Sequence, residues 1–427
     1  MNKDHENNWQ RKKILYSKEH QEVAFQSVNE MVFKERYARK LILIDDSVLT
    51  DFVSCSYLGL DLDDRVIEGA SKNIKRCGVT FPAARTRVKA QSFIILEELL
   101  YQIFCNNFPV IFTSLHLAHL GFIPLLASGE LPSYPIASKG PKFFLDHSVH
   151  ASLQINRGLM LQFGEVELVD FDDLNYLEDC FKKTQKNKQT AIFFADSVGS
   201  MGGMANIEEP LKLADKYRGY IYFDDAHGTS IFGKNGCGYV LEQLKCNYHP
   251  SLILSSSLAK AFGSVAGVLV LPTRKDAEFV KKYSSTYIFG GPPGLPLIDA
   301  GIEAAKIHLT DEIYTLQNKL QDNIKFFDNI INPDITLNYN SLSPIRGIIV
   351  GDENKAIQTA IAMRKKGVAL TTAMYPTVPK DQALLRMALS SAHTKEEIAF
   401  ACESLNQLLN DTSNVKNSEK KTIRSTN

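Results

Sequence analysis

The chain has 427 residues, of which 44% are hydrophobic and 22% charged, the profile of a globular protein that can bury at least one large core. Its 48 basic and 48 acidic residues cancel, which excludes a global field that would attract nucleic acid or an anionic membrane. Seven scattered cysteines, none in a CxxC pair, indicate neither a disulfide framework nor a metal site. Small-molecule substrates are therefore the default expectation.

The N-terminal part, residues 1–45, has the composition of a charged helical arm that is long enough to reach a partner subunit. Its first 20 residues are polar and mixed in charge, without the pattern of a secretion signal, so we expect a cytoplasmic protein. From 46 to 300, short β-branched or aromatic runs alternate with helical stretches. This alternation is typical of βαβ units and predicts an α/β large domain with a mainly parallel sheet.

One stretch of the large domain, Phe108–Ser128, is uncharged over a length that could span a bilayer. Its two prolines, Pro109 and Pro124, would be costly in lipid, so we expect a short strand, a turn and a buried helix, and no membrane span.

The C-terminal part, residues 301–410, is predicted to form a smaller α+β domain together with part of the N-terminal segment. Thr394 and Glu397 have the spacing of a capping box, which predicts that the last helix begins there. Residues 411–427 are polar and non-periodic, and we expect them to be disordered.

Three consecutive apolar runs of the large domain end in residues that carry chemistry. Asp196 follows 192–195, Asp224 and His227 follow 220–223, and Ser257 and Lys260 follow 252–254. Because the carboxyl ends of parallel strands line one crevice, we expect these side chains to converge.

Lysine in this setting can hold an aldehyde cofactor such as pyridoxal phosphate. Asp224 would keep the ring nitrogen of that cofactor protonated, and His227 would hydrogen-bond its phenolic oxygen. Ser257 offers a hydroxyl to the phosphate, and His150, after the apolar run 143–145, can stack on the ring.

The sequence over about residues 50 to 410 resembles the α-oxoamine synthases, a family of fold type I pyridoxal-phosphate enzymes. The resemblance rests on 224–233 (DDAHGTSIFG), on 257–260 (SLAK), on 150–153 (HASL) and on 385–393 (LRMALSSAH). It implies a homodimer with shared active sites, and a decarboxylative condensation of an acyl-CoA with an amino acid to an α-aminoketone.

Carried over to this chain, the resemblance implies that Lys260 binds the cofactor and moves protons, with His227 and His150 as further catalytic residues. It places Asp224, Ser257, Asp196, Ser200, Ser114 and His116 around the cofactor and implies no metal. Arg386 matches the family arginine that binds the carboxylate of the amino acid, a role that suits a bidentate guanidinium.

Departures from the family pattern concern the acyl entrance. A glycine-rich loop of biotin-pathway members is replaced by 80–87 (TFPAARTR), and Gly290–Gly291 replaces a Ser-Thr pair that often reaches the neighbouring subunit's phosphate. Arg85 and Arg87 are interpreted as a solvated pair, with contact to CoA phosphates as the alternative.

The motif at 257–260 is most similar to the branch that makes α-hydroxyketone quorum-sensing signals. Synthesis of 8-amino-7-oxononanoate and long-chain secondary-metabolite condensation are the alternatives. An aminotransferase on the same fold and an inactive partner subunit also stay open.

Overall fold

The computed structural model describes residues 9–424 of the chain. Two compact units divide it: one contains the described residues up to Tyr57 together with those from Lys319 onward, and the other is Leu58–Asn318.

The strands, in chain order, are β1 Phe33–Tyr37, β2 Lys40–Leu43, β3 Val48–Asp51, β4 Phe108–Phe112, β5 Pro141–Asp146, β6 Glu165–Val169, β7 Thr190–Asp196, β8 Tyr220–Asp224, β9 Leu252–Ser257, β10 Gly267–Leu271, β11 Thr336–Leu337, β12 Ile345–Gly351, β13 Val368–Ala369, β14 Thr371–Ala373 and β15 Ala383–Ala388.

The helices are α1 Trp9–Ser27, α2 Asp64–Lys72, α3 Ile74–Cys77, α4 Gln91–Ile103, α5 Leu115–Ser128, α6 Ala151–Gln154, α7 Arg157–Met160, α8 Leu174–Lys186, α9 Glu208–Lys216, α10 Tyr239–Gln243, α11 Arg274–Tyr283, α12 Ser285–Phe289, α13 Leu295–His308, α14 Glu312–Ile330, α15 Glu353–Lys365 and α16 Lys395–Arg424.

The larger unit is built on a seven-stranded sheet with the order β4-β10-β9-β8-β7-β5-β6. Strands β5 to β9 are parallel to one another, and β10 pairs antiparallel with both β9 and β4. The central strands β8 and β9 are buried at every residue, as expected for a parallel sheet that is covered on both faces. The predicted α/β fold with a mainly parallel sheet is confirmed.

The segment Phe108–Ser128 forms strand β4, a short turn and helix α5, as predicted. The helix carries much of the hydrophobic core, where Phe122 and Leu126 are packed with Phe143 and Ile192. Within the described part of the chain, no helix combines the length and the hydrophobicity needed to cross a membrane.

The other unit contains two four-stranded sheets, β1-β2-β3-β13 and β11-β12-β15-β14. The second of them is antiparallel throughout. The predicted capping box is present, because Thr394 N donates to Glu397 Oε2 (3.0 Å) and Glu397 N donates to Thr394 Oγ1 (3.2 Å).

The structure adds detail to the sequence prediction near both ends of the chain. The predicted helical arm, residues 1–45, contains α1 but also β1 and β2, and residues 1–8 lie outside the described residues. Helix α16 continues to Arg424, and the disorder expected for residues 411–427 stays a prediction. Residues 425–427 lie outside the described residues.

The cysteine prediction also needs a correction. Cys105 and Cys246 form a disulfide across 141 residues of sequence, with their Cα atoms 5.6 Å apart. Sequence spacing could not indicate this pair, since the fold of the larger unit brings the two cysteines together.

Candidate active site

The carboxyl ends of β7, β8 and β9 lie side by side. In the register of the sheet Asp196 pairs with Asp224, and Asp224 pairs with Ser255. Backbone hydrogen bonds continue past these ends, from Ser197 N to Asp224 O (2.9 Å) and from Asp225 N to Ser255 O (2.9 Å). The side chains that the sequence analysis singled out after these strands therefore start from one edge of the sheet.

Asp224 is the buried carboxylate at the centre of this edge. Its Oδ1 accepts from Ala226 N (3.0 Å), and its Oδ2 lies 3.3 Å from Nε2 of His119. Burial pushes the pKa of Asp224 up, but His119 and the charge of Lys260 outweigh burial and hold the pKa below its usual value. Asp224 is thus ionised at neutral pH.

His119, on helix α5, is held from its other side by Tyr222. Its Nδ1 lies 2.8 Å from the Tyr222 hydroxyl, whose pKa burial raises well above its usual value. If the Tyr222 hydroxyl donates to Nδ1, a neutral imidazole carries its proton on Nε2, the nitrogen that faces Asp224. Among the described residues, Nε2 has no hydrogen bond of regular geometry despite its burial, so the contact with Asp224 is electrostatic.

Asp196 and His150 meet at the same edge. His150 N donates to Asp196 Oδ1 (3.3 Å) at the start of α6. Burial, followed by the nearby charge of Asp224, raises the pKa of Asp196 well above its usual value. Two neighbouring carboxyl groups thus have pKa values that are moved in opposite directions, which is common in sites that handle protons.

The imidazole of His150 is open to solvent on one side and surrounded by charged groups on the other. Its Nδ1 lies 2.8 Å from Ser152 Oγ, and Ser152 N donates to it (3.2 Å). Burial lowers the pKa of His150, Lys260 acts in the same direction and Asp224 in the opposite one. The ring is therefore neutral and within electrostatic reach of both Asp224 and Lys260.

Lys260 lies in the turn that follows β9 and is half-buried. The turn is fixed on one side by Ser257, whose Oγ accepts from Ala259 N (3.1 Å). On the other side Gly263 N donates to Lys260 O (3.1 Å), and Gly263 has φ +86°. A Cβ at Gly263 would lie 2.8 Å from the backbone of Leu60, so this close approach requires glycine.

The N-terminal end of α5 lies beside the end of β9, and Gly267 permits this close approach. This glycine pairs with Ser257 in the sheet, and a Cβ on it would lie 2.3 Å from Leu115 N. Ser114 caps the helix by accepting from Leu117 N (3.3 Å), and His116 Nδ1 lies 3.2 Å from Ser152 O. A helix start next to a serine hydroxyl is a favourable place for a phosphate.

His227 and Ser200 occupy the loops that continue from the same edge. His227 is buried on the turn after β8, and Ser200 is partly buried after β7. The neighbouring Asp225 accepts from the Ser197 hydroxyl and from Val240 N (3.4 Å), and burial raises its pKa to about 8. Asp225 thus stabilises the loop, whereas Asp224 faces the charged groups.

Arg386 belongs to the other unit, in the middle of β15. It pairs in register with Gly347 on one side and Thr371 on the other, and its side chain is 8% exposed. Nη2 lies 3.4 Å from Cys55 Sγ. Burial opposes the charge of Arg386, but Tyr57 and Cys55 outweigh it and raise the pKa, so the guanidinium stays charged.

Arg85 corrects the interpretation of a solvated arginine pair. Arg87 is exposed, but Arg85 is 5% exposed and its guanidinium lies 4.0 Å from the ring centre of Tyr287. Nη1 donates to Ile111 O (2.7 Å), whereas Nε and Nη2 have no hydrogen-bond partner among the described residues. Aromatic side chains from distant segments bury this arginine, which a local sequence pattern could not indicate.

Sequence reasoning also missed His119, which contacts the buried carboxylate of Asp224. The available signal was its spacing: His119 lies three residues after His116, and both follow the cap residue Ser114 at the start of a helix. Its apolar neighbours made it look like a core residue.

The residues present fit pyridoxal phosphate. A buried ionised carboxylate, Asp224, suits a protonated ring nitrogen, and the neutral His150 suits a ring face. The space at Gly267, next to Ser257 and the start of α5, suits a phosphate. Lys260 lies in the turn that directly follows Ser257.

Comparisons with known proteins agree with this geometry. The profile of the family described as "Aminotransferase class I and II" matches residues 137–405. The chain is 29% identical to an 8-amino-7-oxononanoate synthase of Thermoanaerobacter pseudethanolicus, over 86% of this chain and 89% of that protein. It is 27% identical to a serine palmitoyltransferase of Bacteriovorax stolpii, over 82% and 80%.

Two solved structures show the same fold. Serine palmitoyltransferase from S. paucimobilis, solved with bound PLP and myriocin, superposes with a TM-score of 0.80 at 19% identity, covering 94% of this chain and 98% of that chain. The 8-amino-7-oxononanoate synthase of Francisella tularensis superposes with a TM-score of 0.67 at 24% identity, over 86% and 99%.

Three expectations from the sequence are thereby confirmed: the fold type I transferase fold, pyridoxal 5'-phosphate as cofactor, and kinship with the α-oxoamine synthases. The comparisons lend no support to the autoinducer branch.

Proposed function

We propose that this chain, which belongs to the aminotransferase class I and II family, condenses an acyl-CoA thioester with an amino acid and releases CoA and carbon dioxide. The observation that carries the proposal is the cluster at the carboxyl edge of the large sheet, where Asp224, held by His119, lies within electrostatic reach of Lys260 and His150. The relatives named above support the condensation rather than simple amino transfer.

The cofactor, when bound, withdraws electrons from the α-carbon of the amino acid that it holds. The residues of this chain supply the charges that favour this withdrawal of electrons. Asp224 favours the protonated ring nitrogen, and His119 keeps Asp224 ionised and oriented. His227 would hydrogen-bond the phenolic oxygen, and Ser257 with the start of α5, at Ser114, would bind the phosphate.

Lys260 would bind the cofactor aldehyde and then carry protons. In the overall reaction, one proton is taken up as the C–S bond of the thioester breaks and the C–C bond to the α-carbon forms. The bond from the α-carbon to the carboxylate breaks, and carbon dioxide leaves. Lys260 would remove the α-proton and later return a proton to the same carbon. Asp196, with its raised pKa, and Ser200 would adjust the polarity on the phenolic side.

Arg386 would bind the carboxylate of the amino acid. A guanidinium matches a carboxylate in a planar, bidentate manner that lysine does not reproduce. The raised pKa of Arg386 means that the positive charge persists over the whole working range of pH.

We place synthesis of 8-amino-7-oxononanoate or of a long-chain aminoketone ahead of a precursor of an α-hydroxyketone signal. The relatives that support the activity carry the first two kinds of name. Of the two, the altered loop at 80–87, which contains the buried Arg85, favours the long-chain aminoketone, because this loop replaces the glycine-rich loop of the biotin-pathway members.

The direct test is thiol release by purified protein, supplied with pyridoxal phosphate, from a panel of short to long acyl-CoAs with small amino acids. CoA release together with a product mass that equals a decarboxylated aminoketone is the expected result. Amino transfer to an oxoacid without CoA release would show an aminotransferase instead. Lys260→Ala protein serves as the matched control for background hydrolysis.

The homodimer with shared active sites and the cytoplasmic location also stay proposals. Sedimentation of the holoenzyme tests the first: a fully active monomer would contradict it. The same experiment excludes an inactive partner subunit if the dimer of this chain alone is active.

A further inference from the structure

A group of three cysteines lies in the larger unit, away from the residues assigned to the cofactor. The Sγ atoms of Cys105, Cys237 and Cys246 all lie within 4.8 Å of one another, and two of them form the disulfide. Cys237 is fully buried, and its thiol makes a weak contact, 3.8 Å to Gly238 O. None of the assigned functions of the chain uses these sulfurs.

The backbone is specialised to bring the sulfurs together. Cys105 follows the end of α4 with φ +55°, and Cys246 follows the end of α10 with φ +63°. Left-handed residues after a helix are usually glycine or asparagine, because a side chain is strained there. Two cysteines adopt this strained conformation at two separate helix ends, and their Sγ atoms lie next to each other.

The third sulfur has space because of Gly233. Its φ is +78°, and a Cβ on Gly233 would lie 2.5 Å from Cys237 Sγ and 3.2 Å from Cβ of Glu242. Gly233 also donates its backbone N–H to the Glu242 carboxylate. The Glu242 carboxylate is therefore hydrogen-bonded to the same glycine that leaves space for the buried thiol.

The cluster opens into a cavity of about 890 Å³, whose lining includes all three cysteines, Glu242 and Lys245. Solutes can reach the partly buried Cys105 and Cys246 through it. A closed structural disulfide would not require a third cysteine, a neighbouring carboxylate and an open approach.

We propose that Cys105, Cys237 and Cys246, once reduced, bind one thiophilic metal ion, with Zn²⁺ as the probe and a solvent molecule as the fourth ligand. A dithiol reductant first opens the disulfide: two electrons pass to the Cys105–Cys246 bond, which becomes two thiols, while the reductant becomes its own disulfide. The three thiols then lose their protons to solvent as three metal–sulfur bonds form.

The dimensions agree with this ligand set. Tetrahedral zinc has metal–sulfur distances of about 2.3 Å, so its sulfurs lie about 3.8 Å apart, within the spread of this cluster. Thiolates are ligands that zinc prefers, and the absence of CxxC spacing is no obstacle when three segments of the fold supply the sulfurs.

The site would connect to the cofactor through one loop. Cys237 lies between His227 and Val240, and the loop is fixed to Asp225, whose Oδ2 accepts from Val240 N (3.4 Å). Asp225 directly follows Asp224. Metal binding would therefore stabilise the loop that carries His227, independently of which acyl group the enzyme uses.

The test uses the pyridoxal-phosphate holoenzyme, reduced with a dithiol under argon, freed of small molecules and titrated with Zn²⁺. We expect one zinc per chain and an X-ray absorption spectrum with three sulfur neighbours at about 2.3 Å. Cys105→Ser, Cys237→Ser and Cys246→Ser should each weaken binding at least about a hundredfold, and Glu242→Gln about tenfold.

Cys77→Ser and Cys180→Ser, at two free cysteines elsewhere in the unit, are the matched controls and should bind zinc as the parent does. The unreduced holoenzyme should take up no zinc with sulfur neighbours. The proposal is overturned if the reduced holoenzyme binds no stoichiometric zinc, or if Cys237→Ser retains the parental affinity. The cofactor absorbance of each variant reports whether it has folded.

Discussion

The carboxyl edge of the large sheet and the surroundings of Arg386 in the small antiparallel sheet hold their charges in different ways. At the large-sheet edge, Asp224 and Asp196 are neighbours whose pKa values move in opposite directions. His119 and Lys260 hold the pKa of Asp224 down against burial, whereas burial and the charge of Asp224 raise the pKa of Asp196. Around Arg386, Tyr57 and Cys55 support a single permanent charge. The first arrangement suits proton transfer and the second suits binding, so substitutions in the two regions should affect different kinetic constants.

The largest expected effect belongs to Lys260. Lys260→Ala should lower kcat/KM by at least about a thousandfold, because the chain loses both its attachment for the aldehyde and its proton carrier. Borohydride reduction followed by mass spectrometry should find no cofactor covalently attached to the variant. Cofactor attached elsewhere with activity retained would remove Lys260 from its role.

Substitution of Asp224 should have the second-largest effect on activity. Asp224→Asn removes the negative charge opposite the ring nitrogen, and we expect kcat to fall about a hundredfold with a native circular dichroism spectrum. Asp225→Asn is the matched neighbour, and because Asp225 stabilises the loop, its substitution should change the melting temperature more than kcat. Equal losses of kcat in both variants would contradict the division of roles between the two carboxylates.

Acid should lower the free energy of unfolding of both units, because each unit contains one buried neutral histidine. Burial lowers the pKa of His308, in the larger unit, to about 4 and that of His393, in the other unit, to about 3, whereas the ordinary value is 6.5. The unfolded chain therefore binds these protons first. The stability from each histidine is complete above pH 6.5 and is lost as the pH falls toward the folded value.

At pH 5 the loss should be about 2 kcal/mol for each histidine. Denaturant unfolding of His308→Gln and His393→Gln at pH 7.5 and pH 5 measures it. Each variant should lose less stability on acidification than the parent chain does. If acidification costs the parent and both variants the same free energy, neither histidine is the acid-sensitive group.

Arg386→Lys should raise KM for the amino acid about tenfold and change kcat less, because lysine keeps the charge but loses the bidentate geometry. Arg346→Lys in the neighbouring strand is the matched variant. Arg346 is bound to Asp328 through Nε (2.8 Å) and Nη2 (2.6 Å), so its substitution should lower stability without raising KM. A larger loss in kcat than in KM for Arg386→Lys would assign Arg386 to the chemistry instead.

His119 should have the smallest effect. His119→Phe keeps the volume but removes the contact with Asp224, and we expect kcat to fall several-fold and the Kd for pyridoxal phosphate to rise. Tyr222→Phe, which removes only the hydroxyl beside Nδ1 of His119, should shift both quantities less in the same direction. A merely structural His119 would lower the melting temperature and leave the pH profile of kcat unchanged.

The comparison also shows which residues of the site can be predicted from the sequence. Asp196, Asp224 and Lys260 were accessible because each follows a buried strand, and strand order in a parallel sheet places such residues at one edge. His119 was not accessible, since it lies on a helix among apolar residues and meets Asp224 only in the folded chain. The same holds for Arg85, which distant aromatic rings bury.

The fold shows the same contrast. The βαβ pattern of the large sheet is local and could be read from short apolar runs. Strand β1 has the sequence FKERY and is exposed at every residue, so no buried periodicity marked it. The sulfur cluster depends on contacts across more than a hundred residues, which spacing rules for cysteine do not describe.

The most direct test of the central claim is the ratio of carbon dioxide to CoA released in one reaction, with a carboxyl-labelled amino acid and the acyl-CoA that gives the fastest thiol release. We predict one carbon dioxide for each CoA, with both products absent from Lys260→Ala. CoA release without labelled carbon dioxide, or amino transfer with neither product, would contradict the proposed decarboxylative condensation.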